Sequence, residues 1–470
     1  MDPLVKQAFP NCVRHSYQEI ISFQSPEKYM WFGKNSIDSE ILQQYAKYER
    51  IALKMMDRLD SGGAFSFEER RMAYYRWLAY SMNVVKELNP QLVIFTEIPH
   101  HAPQYILYAV CQIQGIPILM FKPIYSFVSR LLTYHSVEDD PVLNYRQREL
   151  NEEISIETYS QIDSYINRLR GEYAQAKPTY SKALDKSNSL PYVIKKAAIK
   201  LFKKIVNLQT TNEPKNILKQ KNKMLRDSNL TTRQLYWYSF KGGLYKRKLK
   251  KEYMKYVSPV DLNEKYVLVT LNYQPERTTS PDGGDYVDQW LMVSMIVKCL
   301  PRDWLIYVKE HGVQFHPKLD GHLGRSIDSY INLTDLPSVR LVGLEYSTFD
   351  LIDSASVVAV VNGNTGLEAL ARQKPVWVFG EGCWFKSCPG VRMITDIKSL
   401  KLAFEALNFE SAPTVANLRK FLADFYGASH NIKLATSYAA EVDRVKNLRM
   451  VSDLFENEHK RLFPLANLVN

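Results

Sequence analysis

Between Lys265 and Gly380 the chain alternates short apolar runs with helical stretches. KYVLVTLNY (265–273) is followed by a helical segment (286–300), WLIYVKEH (304–311) and a helix near 323–333. VRLVG, TFDLIDSA, VVAVVN, GLEALARQ and PVWVFG complete the series. The runs are continuously apolar, as expected of strands buried on both faces beneath helices. Strand and helix in strict alternation predict a parallel, doubly wound α/β sheet. A smaller version lies upstream: LVIFTEI (92–98), a helix near 103–114 stopped by Gly115, then IPILMF. That is a second strand–helix–strand unit with its own parallel pair.

A chain of 470 residues is too long for one core. The expected division is an N-terminal domain (1–257) with a basic insertion at about 181–257, a second domain (258–400), and C-terminal helices (401–470) packing across both. Residues 38–60 have helical periodicity, and Ser66 with Glu69 reads as a capping box opening the next helix. The five cysteines are scattered and suggest neither a zinc site nor a disulfide framework, so a reducing cytoplasm is expected. No signal-peptide core is present, and no apolar run approaches the roughly 18 residues of a membrane span.

The formal net charge of +11 is unevenly distributed. Residues 181–260 hold 20 Lys+Arg against 4 Asp+Glu, a net of +16, so the remainder sums to −5. Within PYVIKKAAIKLFKKIVNL, Ile194, Ala198, Leu201, Phe202 and Ile205 share one helical face and lysines largely occupy the other. That is a basic amphipathic helix, suited to an anionic surface or to packing on its own domain. YKRKLKKEYMKYV adds a second basic cluster. No nucleic-acid-binding signature accompanies the charge, and no such partner is expected.

Open parallel sheets bind ligands beyond the carboxyl ends of their strands. After VVAVV come Asn362, Gly363, Asn364, Thr365 and Gly366, with Glu368 in the next helical turn. Such a break suits a phosphate or carboxylate, with Glu368 accepting from a ribose. The plainer alternative is a tight turn whose Glu368 caps its own helix. Gln274 and Glu276 follow the first strand. A carboxylate there acts as base, nucleophile or electrostatic stabiliser, or is a solvated loop glutamate. Asp282, Asp285 and Asp288 make only a weak case for a metal, and none is expected. Lys309, Glu310 and His311 end the next strand, where a lysine can hold phosphate and a histidine can donate or transfer a proton. A surface strand end is the alternative. On the N-terminal side, Glu97, His100 and His101 occupy the equivalent edge.

YQPE, TTSP, GG, YVDQ, YVKEH, NGNTG, LEAL, KPVWVFG and CPGV, in that order, resemble the capsular polysaccharide synthesis family, whose characterised relatives are bacterial β-Kdo transferases using a CMP-activated sugar. IFTEIPHHAPQYILYAVCQIQGIPIL resembles its N-terminal half, so the likeness covers about 90–125 and 260–395. It implies the GT-B type of fold: two Rossmann-like domains facing across a cleft, with a helical C-terminus. Nucleotide-sugar epimerases share that architecture.

The resemblance further implies that Lys309 and His311 hold the nucleotide phosphate, with Gly312 where relatives carry proline. Gly363 and Asn364 replace the usual Ser or Thr. Glu276 and His311 would be catalytic. Gln274, Lys309, Glu310, Asn362, Gly363, Asn364, Thr365, Gly366 and Glu368 would bind the nucleotide-sugar, and Glu97 and His100 would face the acceptor. The implied reaction moves a Kdo-like sugar from its CMP donor to a glycan or glycolipid, with the nucleotide-sugar as substrate and no further cofactor. Lipid-linked acceptors would place the chain peripherally on the cytoplasmic face of the inner membrane. A transferase or epimerase using a UDP- or CDP-activated donor, and a non-catalytic glycan-assembly protein, are the alternatives.

Overall fold

The computed structural model describes residues 37–60, 63–124, 130–148, 154–171, 232–433 and 443–464, together with Ile20. The expected basic amphipathic helix at 191–208 lies outside the described residues.

Two sheets carry the fold. The N-terminal one has three strands in the order β1 (Val93–Phe95), β2 (Ile118–Ile124), β3 (Arg130–Tyr134). β1 and β2 are parallel and joined by the helix Ala102–Ile113, as the sequence predicts; β3 returns antiparallel to β2. The helices Ser39–Met55 and Phe67–Leu88 cover this unit, the second opening with the expected Ser66–Glu69 capping box.

The larger sheet is wholly parallel among the described residues. Its strands are β4 (Val257–Ser258), β5 (Lys265–Thr270), β6 (Trp304–Lys309), β7 (Val339–Val342), β8 (Val357–Val360), β9 (Val376–Val378) and β10 (Val391–Met393), in the order β10-β9-β8-β5-β6-β7-β4. β5 to β7 build outward in one direction; β8 then crosses back to the other side of β5 and the series resumes. The switch point therefore lies between β5 and β8, where doubly wound sheets open a crevice. Register places Thr270 beside Lys309, so the chain leaves β5 and β6 together. The α/β class with its doubly wound sheet and helical C-terminus is as expected.

Helix Thr232–Lys255, which carries most of the second basic cluster of the expected N-terminal insertion, packs on the larger sheet. Leu249 and Tyr253 join its core, and the Tyr253 hydroxyl donates to the Val342 carbonyl (2.5 Å). The C-terminal helices recross to the first half. Val415–Ala428 packs on Pro141–Gln147 and Ile156–Arg170, with Arg146 on Asp424 (2.5 Å) and Arg419 on Asp163 (2.7 Å). Arg444–Leu462 brings Leu454 and Phe455 against β2. These elements hold the two sheets with their strand ends facing.

Candidate active site at the strand ends

A cleft of about 710 Å³ lies between the carboxyl ends of the larger sheet and those of β1 and β2. Three loops from the larger sheet form one wall: 270–282 after β5, 309–313 after β6 and 362–368 after β8. At the switch point Asn272 Nδ2 donates to Asn362 Oδ1 (3.3 Å), and Asn362 Nδ2 reaches the Thr278 carbonyl, so the first and third loops are joined.

Lys309 extends β6 into the cleft wall. Its ammonium donates to the carbonyls of Gly343 (3.2 Å) and Tyr346 (2.8 Å), which uses two of three donors. Burial lowers its pKa to about 8, with Glu345 opposing the shift. His311 also lines the cleft. Its Nδ1 accepts from the Val313 N–H (3.3 Å), which leaves Nε2 as the N–H of the neutral ring. Glu310 differs. Its carboxylate is fully buried and receives Arg325 through two N–H groups (2.7 and 3.0 Å) and the Tyr330 hydroxyl (2.5 Å). Arg325 also donates to the Asn272 carbonyl (2.8 Å). This pair braces the ends of β5 and β6 and has no capacity left for a ligand.

Glu276 sits on the cleft wall in a tight turn whose carbonyl accepts from the Ser280 N–H (3.2 Å). Burial raises its carboxyl pKa, while the Thr278 hydrogen bond and the Arg58 and Arg277 charges pull it back. Gln274, by contrast, is buried behind the cleft. Its amide donates to Thr279 Oγ1 (3.1 Å) and the Val287 carbonyl (2.8 Å), shaping the loop rather than meeting a ligand.

Asn362, Gly363, Asn364, Thr365 and Glu368 all line the cleft; Gly366 is buried against Phe385, where a Cβ would be 2.8 Å from the ring. Helix Thr365–Ala371 has no side-chain cap, so Glu368 does not cap it. Burial raises the Glu368 carboxyl to about 7, against the pull of Arg372.

The facing wall includes His100 and Lys122. His100 Nδ1 lies 3.2 Å from the Ile98 carbonyl, which assigns the proton there and leaves Nε2 as an acceptor. Burial, then Arg277, lowers its pKa to about 4, so the ring is neutral at physiological pH. Glu97 is taken by Arg277 across the cleft mouth (2.7 Å). The His101 ring lies tilted against His100, with centroids 4.3 Å apart, and is itself lowered to about 4 by burial. The three loop aspartates are not gathered around a common point. Asp282 pairs with Lys122, Asp285 with Arg50 and Asp288 with Lys54 (3.9 Å). Among the described residues no group of three or more His, Cys, Asp or Glu is placed as metal ligands.

Sequence reasoning missed Lys122 and Arg58. Lys122 follows the apolar ILMF of a strand, the same signal that picked out Lys309. Arg58, in a short 3₁₀ turn, donates to the carbonyls of Ser280 (3.2 Å) and His100, and nothing local marks it.

The site is thus a crevice at the switch point of a doubly wound sheet, with cations, two raised carboxyls and a facing wall from the N-terminal half. Residues 258–411 match the family model described as capsule polysaccharide biosynthesis protein. No curated protein matches by sequence. Among solved structures, Thermosulfurimonas dismutans KpsC, beta Kdo 2,7 transferase, is 16% identical over 39% of this chain and 51% of its own, with a TM-score of 0.23. The chain spans about half the length of the KpsC structures it matches. The UDP-GlcNAc 2-epimerase of Neisseria meningitidis is 12% identical over 82% of this chain and 97% of its own, with a TM-score of 0.25. At such scores neither likeness bears on activity. No described helix is long and apolar enough to cross a membrane.

Proposed function

We propose that the chain is a glycosyltransferase of capsule polysaccharide biosynthesis. It takes a nucleotide-activated sugar, by the family resemblance a CMP-linked Kdo-like one, and transfers the sugar to a glycan or glycolipid. The observation that carries this reading is the convergence of Lys309, His311, the 362–365 turn, Glu368 and Glu276 on one cleft at the switch point.

In this reading the donor phosphate lies against the remaining Lys309 donor and His311 Nε2–H, where charge on the leaving nucleotide is stabilised as it develops. Glu368, half-protonated near neutrality, meets the ribose hydroxyls from the helix start. Glu276 faces the reacting carbon. Burial raises its carboxyl pKa, and a carboxyl placed at the reacting centre serves acid–base or electrostatic chemistry. His100 accepts from the acceptor hydroxyl and orients it from the other wall. Arg277 and Glu97 close the mouth between them, and Glu310 supports the site without touching substrate. The acceptor is presented at the inner-membrane surface.

The test is a thermal-shift screen against CMP, CDP, UDP, GDP and ADP, with Lys309→Ala as control. A nucleotide at 100 times its dissociation constant adds about 2.7 kcal/mol of stability. Stabilisation by CMP that the variant loses supports the cytidine donor. Stabilisation by UDP instead moves the donor, and no shift with any nucleotide removes the reading.

A further inference from the structure

Among the described residues, helix Thr232–Lys255 packs on the protein through one face. Leu249 and Tyr253 are fully buried, and Lys246 donates to the carbonyls of Pro317 (3.1 Å) and Leu319. Gly242 passes so near His322 that a Cβ would lie 2.4 Å from the ring. Positions 242, 246, 249 and 253 recur at the spacing of one helical face.

The opposite face carries large apolar side chains into solvent. Trp237 and Phe240 are each 57% exposed and stack on one another at 6.0 Å; Leu244 is 48% exposed. The same side continues through Lys248, Lys251 and Lys255, all exposed, with Arg233, Lys241 and Arg247 exposed beside them. An aromatic and aliphatic ridge therefore runs directly into a row of cations. Clustered exposed apolar groups of this kind mark an interaction surface.

Charge and apolarity together select the occupant. Residues 232–255 carry eight Lys+Arg and one Glu, a net of +7. A soluble polyanion, nucleic acid included, would pair with the lysines and leave Leu244 in water. An anionic bilayer satisfies both halves: rings and Leu244 enter at the acyl boundary, and ammonium groups stay among the phosphates. We propose that this face of helix Thr232–Lys255 docks the chain on an anionic lipid surface. The docking stands apart from the donor reading. Its relation to the cleft rests on that reading: Lys246 clamps the end of the loop whose start, Gly312 and Val313, lines the cleft, so a docked chain holds its acceptor wall near lipid-linked substrates.

The experiment is co-sedimentation of the full chain with vesicles of phosphatidylcholine alone and of phosphatidylcholine mixed with phosphatidylglycerol. Wild type should bind only the mixed vesicles, and less so as salt rises. Lys248→Glu with Lys251→Glu and Lys255→Glu should weaken partitioning by about a hundredfold or more. Trp237→Ser with Phe240→Ser should abolish the part that survives high salt. Each set should keep the wild-type melting temperature and nucleotide-dependent shift, which separates lost docking from lost folding. Wild-type partitioning by either set overturns the proposal, as does equal binding to both lipids or capture by double-stranded DNA in preference to vesicles. Vesicle binding without any nucleotide shift leaves the docking face standing and removes only the donor reading.

Discussion

Lys122 and Asp282, 160 positions apart in sequence, meet across the cleft at 2.5 Å with side chains only 12% and 8% exposed. The Lys122 ammonium also donates to the Gly382 carbonyl (2.6 Å). Gly382 runs so close to Asp282 that a Cβ would sit 2.8 Å from the Asp282 Cα. One lysine of the first half therefore ties down two loops of the second. Breaking one partner of a buried pair strands the other charge, at about 3–5 kcal/mol. Lys122→Met and Asp282→Asn should each lower the melting temperature, and the double variant should lose less than the sum of the two. Melts of all four proteins form the cycle. Additive losses would mean that the pair does not couple the halves.

Glu310 offers a contrast with its neighbour Lys309. Its carboxylate spends its lone pairs on Arg325, Tyr330 and the His311 N–H (2.8 Å). Glu310→Ala should destabilise by about 3–5 kcal/mol in urea unfolding, because the Arg325 guanidinium is left buried without its counterion. Glu310→Gln should fall between Ala and wild type. Nucleotide affinity per folded molecule should change little in either. A variant of normal stability with lost binding would make Glu310 a ligand contact instead.

That contrast marks how far the sequence was legible. β5, β6, β8 and β9 could be read because strands buried on both faces appear as continuous apolar runs, and the polar residues after them fall at the ligand edge by the topology of such sheets. Lys309, His311, Asn362 and Glu368, picked out that way, all line the cleft. The same rule misplaced Gln274, whose amide turns back into its own loop, and gave no warning that Glu310 and Glu97 are paired. Those outcomes depend on Arg325 and Arg277, whose partners are set by loop paths rather than local pattern. The aspartates at 282, 285 and 288 suggested a metal only because their cations, on β2 and the helix Ser39–Met55, are remote in sequence.

Glu368 links stability to pH. Burial raises it from 4.5 to about 7, so the folded chain binds this proton more tightly than the unfolded one. The resulting stabilisation is fully present below about pH 4.5 and is lost as pH rises through 7. Glu368→Gln cannot ionise. It should unfold like wild type below pH 4.5 and be more stable at pH 8 by roughly 1–3 kcal/mol, while binding nucleotide more weakly. Urea titrations across that range test the sign. A wild type more stable than the variant at pH 8 would mean that the charged carboxylate has an unrecognised partner.

Glu276 tests whether the cleft performs chemistry. Glu276→Gln keeps the shape of the turn and removes the ionisable group. Turnover of a nucleotide-sugar should be lost, while the nucleotide thermal shift should remain within a degree or so, since the proposed phosphate and ribose contacts are elsewhere. An unchanged rate would take Glu276 out of the mechanism.

Lys309 should make donor binding depend on pH in a direction that an ordinary lysine would not. With its pKa lowered from 10.5 to about 8 by burial, the folded ligand-free chain loses this proton well before an ordinary lysine would. A phosphate placed against the ammonium favours the charged form and pulls the pKa back up. The Lys309 contribution to nucleotide affinity should therefore be flat below pH 7 and fall as pH rises through 8. At pH 8.5 binding should take up at most about three-quarters of a proton, measured by calorimetry in buffers of different ionisation enthalpy. For stability the sign is reversed. Between 8 and the usual 10.5 the unfolded chain holds the proton more tightly, so the ligand-free protein gains stability from this group as pH increases. Lys309→Met should abolish both the uptake and the decline in affinity. Proton release on binding, or uptake that survives in the variant, would place the phosphate away from Lys309.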